Sequence, residues 1–243
     1  MTPARFYHSS ELTSHSEICL DPAAAHHAAR VLRLKENDAV VLFTGKGGEY
    51  PARITGMSKS KVTVLTGEWQ NIERESPLQI TLVQAVSSTE KMDFTVQKAV
   101  ELGAAAIQPL ASQRSIVRLD AARALKRIEH WRKVAIAACE QCGRNRIPLI
   151  AEMVSMKKFI GKTENGALRL MLSSGRGVSF KQLKYQGGAI ILLVGAEGGF
   201  TAEEEQAAGG AGFTPVTLGK RVLRTETAGL AALAAIQSLW GDF

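Results

Sequence analysis

The stretch AIILLVGAEGGFTAEE, residues 189–204, decides the fold. Residues 189–194 form a continuous apolar run, the pattern of a strand covered on both faces of its sheet. A turn rich in glycine follows at once, with Gly195, Gly198 and Gly199 surrounding Glu197. Thr201 with Glu204 three residues later reads as a capping box, so a helix starts directly behind the turn. Strand, glycine turn and helix in that order mark the place where α/β proteins hold ligands, outside the carboxyl ends of the strands. The spacing is G-x-x-G-G, which matches neither the dinucleotide fingerprint G-x-G-x-x-G nor the phosphate loop G-x-x-x-x-G-K-[ST]. A carboxylate inside the turn also repels phosphate and suits a neutral or cationic ligand.

Working outward, LRLML (168–172) is a second continuous apolar strand, LQITLVQAV (78–86) a third and AIQPL (106–110) a shorter fourth. Between them, Ser87 and Glu90 form a capping box for KMDFTVQKAVELG, which Gly103 closes. Asp120 opens a long helix to about Cys142, with Leu125, Ile128, Ala135 and Ala138 on one side and Arg123, Lys126, Arg127 and Lys133 on the other. Strands alternating with helices imply an α/β domain with a mainly parallel sheet. The polar stretch QNIERESP (70–77) reads as a linker, dividing the chain into 1–72 and 73–243. The first part is all-β after a short helix, which Asp21 caps and Pro22 begins. AVVLF (39–43), EYPARIT (49–55) and KVTVLTG (61–67) are short strands joined by turns, and they suggest a small barrel.

Charge is unevenly placed. Residues 1–75 carry nine basic and nine acidic side chains, so the net +7 lies wholly in 76–243. The excess is densest over 114–146, where nine basic residues, Arg114 and Arg118 first among them, face only Asp120, Glu129 and Glu140. Such a stripe points to a polyanion, most simply nucleic acid. No apolar run approaches the roughly 20 residues of a membrane span, and MTPARFYHSS lacks the apolar region of a secretory leader; a cytoplasmic protein is expected. Cys19, Cys139 and Cys142 make no disulfide framework, and Cys139-Glu-Gln-Cys142 lacks a second ligand pair for zinc. No metal is expected.

A second unusual turn lies in LGKRVLRTETAGLAAL, 218–233. Leu218 and Gly219 end a short strand, Lys220, Arg221 and Arg224 follow, and Thr225 reads as the N-cap of a final helix to about Trp240. If both turns line one pocket, its ligand sits between neighbouring strand ends, with these cations beside it for an RNA phosphate.

KMDFTVQKAVELG, EQCGRNRIP, VGAEGGFTAEE and LGKRVLRTETA, in that order, resemble the RsmE family of small-subunit ribosomal RNA uracil-N3 methyltransferases, within the SPOUT superfamily. ARFY and RVLRLKENDAV resemble that family's PUA-like small barrel. The resemblance implies a C-terminal trefoil-knotted α/β methyltransferase domain, a homodimer, S-adenosylmethionine as cofactor, and 16S rRNA or the assembled small subunit as substrate. Matched to the family motifs, the cofactor pocket is expected from Leu172, Gly195, Glu197, Gly198, Gly199, Leu218, Gly219 and Leu223. The family turn usually reads G-P-E-G-G; Ala196 replaces the proline, which loosens the loop by about 0.4–1 kcal/mol where the native φ suits proline.

The chemistry this implies is in-line methyl transfer from a sulfonium to uracil N3, on a uridine that is unpaired or flipped out. Arg144, Arg146 and Arg224 are expected to steady negative charge on the uracil oxygens, Arg144 foremost, with Glu197 or a water as base. Arg114, Arg118, Arg144, Arg146 and Arg221 are the expected RNA contacts. The competing readings are a ribose 2′-O-methyltransferase of the same superfamily and a non-enzymatic RNA-binding protein. Intact GAEGG and LRTETA stretches argue against the latter, because a decayed site would lose its costly glycines.

Overall fold

The computed structural model describes residues 3–58, 61–115, 121–161 and 166–243. Two compact units result: one joins Met1–Glu75 with Cys139–Ile147, the other Ser76–Ala138 with Pro148–Phe243. The segment 139–147 therefore belongs to the first unit, although a single cut of the sequence near 72 places it in the second.

In the first unit, β1 (Ala4–Tyr7), β2 (Glu17–Cys19), β3 (Ala39–Phe43), β4 (Tyr50–Met57) and β5 (Val62–Thr66) form one sheet in the order β1-β3-β4-β5-β2. β1 runs parallel to β3 and the other pairs are antiparallel. The hydrogen-bonded path leaves β1 and β2 as edges, so among the described residues no ladder closes the expected barrel. Alternate residues Ala52 and Ile54 of β4, and Val62 and Val64 of β5, enter a core with Phe6, Leu20 and Leu42. Ala25 and Ala28 complete it from α1 (Pro22–His26) and the π-helical turn that continues α1 over His27–Val31. Asp21 stands at the N-cap position with Pro22 at the start of the helix, but its side chain makes no capping hydrogen bond.

A buried polar cluster stitches 139–147 into this unit. Glu49 accepts from Arg5 Nη1 at 2.6 Å, Asn145 Nδ2 at 3.0 Å and Arg74 Nη1 at 3.1 Å. Asn145 Nδ2 also donates to the Ile72 carbonyl at 2.6 Å, and Asn145 Oδ1 accepts from Arg5 Nη2. Burial alone would raise the Glu49 carboxyl, but donation from Arg5, Asn145 and Arg74 outweighs it and holds the group below its ordinary value.

The second unit is a parallel sheet in the order β11-β13-β10-β12-β6-β7-β8, from β6 (Gln79–Ala85), β7 (Ala106–Ala111), β8 (Leu149–Ile150), β10 (Leu168–Leu172), β11 (Val178–Ser179), β12 (Ala189–Val194) and β13 (Thr214–Thr217). β9 (Val154–Ser155) pairs with the end of β7. Ile190, Leu192, Leu193 and Val194 are all buried, so β12 is covered on both faces as its unbroken apolar run required. α2 (Thr89–Glu101), α3 (Ala121–Cys142), α4 (Met156–Ile160), α5 (Ala202–Gly210) and α6 (Thr225–Trp240) complete the fold. The chain leaves β12, skips past β10 to form β13, and then returns, as α6, to pack on α2 and β12.

Several local expectations are corrected. α2 begins at Thr89, so Ser88 and not the buried Ser87 holds the N-cap position, and no side-chain cap bond forms. Leu125, expected on the packed side of α3, is 59% exposed, and Trp131 takes the core position with Ile128, Ala135 and Ala138. Asp120 lies outside the described residues. Among those described, no helix is long and apolar enough to cross a membrane.

The Glu49 cluster makes a prediction. Glu49→Gln leaves the buried Arg5 without its counter-charge, so urea denaturation is expected to register a loss of about 3–5 kcal/mol. A loss below about 1 kcal/mol would mean that water already neutralises the cluster. Because the folded value lies below the ordinary 4.5, this contribution is complete above that pH and disappears as the pH falls through the lowered value.

Candidate functional site

Three loops at the carboxyl ends of β10, β12 and β13 enclose a cleft of about 470 Å³ in the second unit. That is within the roughly 300–1,000 Å³ of small-molecule sites. Leu172–Ser174 form one wall, Val194–Phe200 the second, and the 218–225 loop the third, with Lys91 of α2, Glu205 of α5 and Ala228 of α6 also in the lining. Every residue expected to bind a cofactor (Leu172, Gly195, Glu197, Gly198, Gly199, Leu218, Gly219 and Leu223) lines this one space, joined by Arg221 and Arg224.

The turn after β12 is tight. Gly199 N–H donates to the Ala196 carbonyl at 2.9 Å. A Cβ on Gly195 would stand 3.0 Å from the Gly199 backbone, so the turn closes on itself only without a side chain there. Gly199 at φ +69° and Gly219 at φ +91° hold backbone conformations that other residues rarely adopt. No atom lies within 4 Å of a Cβ built on either, so that side of both turns is open, bare backbone. Ala196, in the family's proline position, is buried with Val83, Leu110, Met171 and Phe200.

Thr225 ties the two turns together. It was expected as the N-cap of α6, but Arg224 takes that position and Thr225 is the first helical residue. Its hydroxyl donates to the Gly195 carbonyl at 2.5 Å and accepts from Gln84 Nε2 at 2.9 Å. Gln84 also donates to the Ala85 carbonyl at 3.0 Å. All of these groups are buried, so each bond is the sole alternative to an unsatisfied polar atom.

Glu197 is a strut. Its Oε1 accepts from Lys91 Nζ at 2.9 Å, joining the glycine turn to the first turn of α2. Burial raises the carboxyl, and Lys91, the residue's own N–H and Ser88 N–H together outweigh it and keep the group ionised below the usual carboxylate range. On the other side Arg114 Nη1 donates to the Gly198 carbonyl at 2.7 Å. The helix behind is held by its capping box, in which Glu204 and Thr201 exchange bonds, while Glu204 Oε1 accepts Gln113 N–H at 2.8 Å.

The remaining expected residues go elsewhere. Arg144 does not line the cleft; it belongs to the first unit, where Nε and Nη2 grip Glu75 at 3.0 and 2.5 Å and its side chain is only 6% exposed. A guanidinium so committed holds the 139–147 segment within the first unit. Arg146, in the same unit, is half-exposed and 3.5 Å from Glu73. Arg118 lies outside the described residues. The sequence missed Gln84 and Lys91, and gave Thr225 the wrong task; the only visible hint was a polar Gln84 within an apolar strand. Cys139 is buried and its thiol pushed up to about 12 by that burial, so it stays protonated. Among the described residues no group of three His, Cys, Asp or Glu side chains could hold a metal ion.

Comparisons with known proteins identify the family. The RNA methyltransferase domain family matches residues 74–237, and the RNA methyltransferase PUA domain matches 20–66. The Ribosomal RNA small subunit methyltransferase E of Buchnera aphidicola is 33% identical over 239 residues, covering 98% of this chain and 94% of its own. The chain belongs to the ribosomal RNA small subunit methyltransferase E family. The Bacillus subtilis member is 34% identical over 220 residues, 87% of this chain and 86% of its own. Among solved structures, the family member from Neisseria gonorrhoeae bound to S-adenosylmethionine is 43% identical with a TM-score of 0.93, covering 99% of both chains. A methyltransferase of Legionella pneumophila in complex with the same cofactor is 37% identical with a TM-score of 0.96 over all of both chains. The fold is therefore mixed α/β, with a PUA domain and a methyltransferase domain.

Thr225→Val keeps the shape and removes the hydroxyl, leaving the Gly195 carbonyl and one Gln84 donor unpaired. Thermal and urea unfolding are expected to show a loss of about 1–3 kcal/mol, recovered largely by Thr225→Ser. Equal stability of the valine variant would show that the bridge is dispensable.

Proposed function

We infer that this protein transfers the methyl group of S-adenosylmethionine to N3 of a specific uridine in 16S rRNA. The observation that carries the reading is the single cleft made by three strand-end loops, in a chain similar along its whole length to family members solved with that cofactor. The cleft's own chemistry fits the cofactor. Bare backbone at Gly199 and Gly219 lets a ligand approach closely, Leu172, Leu218 and Leu223 offer apolar walls, and no phosphate-loop spacing is present. Once bound, S-adenosylmethionine supplies a methyl carbon already activated by its sulfonium.

The protein's task is then alignment and charge. The two glycine turns, fixed to each other by Thr225, set the cleft's shape. Arg221 and Arg224 are exposed on its rim with no carboxylate partner among the described residues, suited to an RNA phosphate and to negative charge developing on the uracil oxygens. Glu197, held ionised by Lys91, is a weak base; its negative charge and its strut shape the turn, and solvent takes the N3 proton. N3 is blocked in a base pair, so the target uridine is unpaired or extruded.

We assign RNA docking to the PUA-like part, 1–72, and catalysis to 73–243, with 139–147 folded into the former unit. A trefoil knot is supported by the path β12 to β13 past β10 and the return of α6 to β12. A homodimer is supported by large apolar side chains left exposed on the second unit, Phe94, Leu125 and Val222 among them.

Incubation with S-adenosylmethionine and small subunits from cells lacking the activity, followed by nuclease digestion and mass spectrometry, is expected to yield one 3-methyluridine. Ribose 2′-O-methylation would transfer the reading to the other branch of the superfamily, and absence of both methylation and calorimetric cofactor binding would make the chain an RNA binder only.

A separate test concerns Glu197. Glu197→Gln is expected to weaken S-adenosylmethionine binding about tenfold, the ~1.4 kcal/mol of a lost charged contact, while the pH–rate profile keeps its shape. Disappearance of a titrating limb from that profile would instead make Glu197 the base.

A further inference from the structure

The basic residues of α3 form one stripe in the sequence, but the structure sorts them. Arg132 is paired with Glu129 on the same helix, and Lys133 faces solvent. Arg123, Lys126, Arg127 and His130 instead line, with Thr89 and Asp93 of α2, a second groove of about 460 Å³ that lies within the second unit. The only carboxylate in that lining is Asp93, and α3 occupies both of its oxygens: His130 Nε2 is 2.8 Å from Oδ2, and Trp131 Nε1 donates to Oδ1 at 3.1 Å. Asp93 therefore fixes the α2–α3 junction. Lys126 and Arg127 have no carboxylate partner among the described residues.

We propose that this groove binds the phosphodiester backbone of the RNA substrate beside the methyl-transfer cleft. The proposal rests on the rRNA reading above and names a contact that reading does not supply. Lys126 and Arg127 bring two cations into the groove from consecutive positions of α3, so a strand can set a phosphate against each, whereas a single inorganic phosphate answers only one. The first turn of α2 separates the groove from the cleft: Thr89 and Asp93 line one, and Lys91 lines the other. A strand lying in the groove thus runs past the helix turn to which Glu197 ties the glycine loop. A second copy docked face to face here would set cations against cations, which disfavours that occupant.

The test uses the full-length protein, a labelled 16S rRNA fragment and small subunits lacking the modification, with affinity measured across a salt series. Lys126→Ala/Arg127→Ala is expected to weaken RNA binding about tenfold at low salt and to flatten the plot of log K against log salt by about 0.7 for each lost phosphate contact. The KM for RNA should rise while calorimetric S-adenosylmethionine affinity stays. Lys126→Glu alone, at an exposed position, gives the same readout should the double variant fold poorly.

Unchanged affinity and slope would overturn the proposal, as would an equal loss in Lys133→Ala, which would indicate a diffuse field in place of a groove. Displacement of RNA from the unsubstituted protein by low millimolar inorganic phosphate at constant ionic strength would reduce the site to a single-anion pocket and overturn it too. If the unsubstituted protein methylates nothing but still binds RNA through this groove, the methylation reading falls and the groove stands.

Discussion

The Thr225 hydroxyl is the joint on which the cleft depends. It connects the carbonyl that ends β12 with the first turn of α6, and Gln84 holds it from β6. Two turns separated by some twenty residues of chain thereby become walls of one cleft with a fixed spacing. Without that bond, each turn would be a strand-to-helix connection of the kind found throughout α/β proteins, open to solvent and to its own fluctuations. Methyl transfer asks for little else: the group transferred is reactive in the cofactor, so holding two partners in line supplies most of what the protein must contribute.

Glu197 illustrates how the same turn resolves two opposing demands. Its backbone must be bare enough for close approach, and bare backbone is entropically loose. The looseness is offset from outside the turn. Lys91 and the start of α2 hold the carboxylate on one side, Arg114 holds the Gly198 carbonyl on the other, and buried Ala196 anchors the base in the apolar core. Proline at 196 would restrict the unfolded chain, but Ala196 reaches the same core position by packing. The carboxylate thus gives the loop electrostatic support through Lys91.

Much of this was legible in the sequence because it depends on local pattern. The unbroken apolar run of β12, the Thr201–Glu204 capping box and the two glycine turns are each specified within a few residues, and the structure places them as read. What local pattern does not carry is anything set by distant partners. Arg144 stands in a glycine-flanked motif, and nothing near it in sequence shows that it grips Glu75, 69 residues earlier. Thr225 has the chemistry of an N-cap, and only the neighbouring strand end shows that its hydroxyl is used across the sheet. The strands β2, β8, β9 and β11 are two or three residues long, too short for any periodicity to register. Leu125 fits a helical apolar face, but nothing in its own helix reveals whether another element covers it.

The division of α3's cations follows the same logic and separates two meanings of positive charge. A stripe of basic residues raises the potential around the whole molecule and hastens encounter with a polyanion, but it does not orient one. Orientation needs cations fixed relative to a concave surface, and Asp93 supplies this by holding His130 and Trp131, so that α3 presents Arg123, Lys126 and Arg127 toward α2. A carboxylate within a basic groove reduces the net charge yet increases its definition. In a protein that must bring one uridine among many to a single small cleft, definition is the scarcer property. Net charge guides the RNA to the surface, and the groove geometry decides which segment of it lies across the cleft.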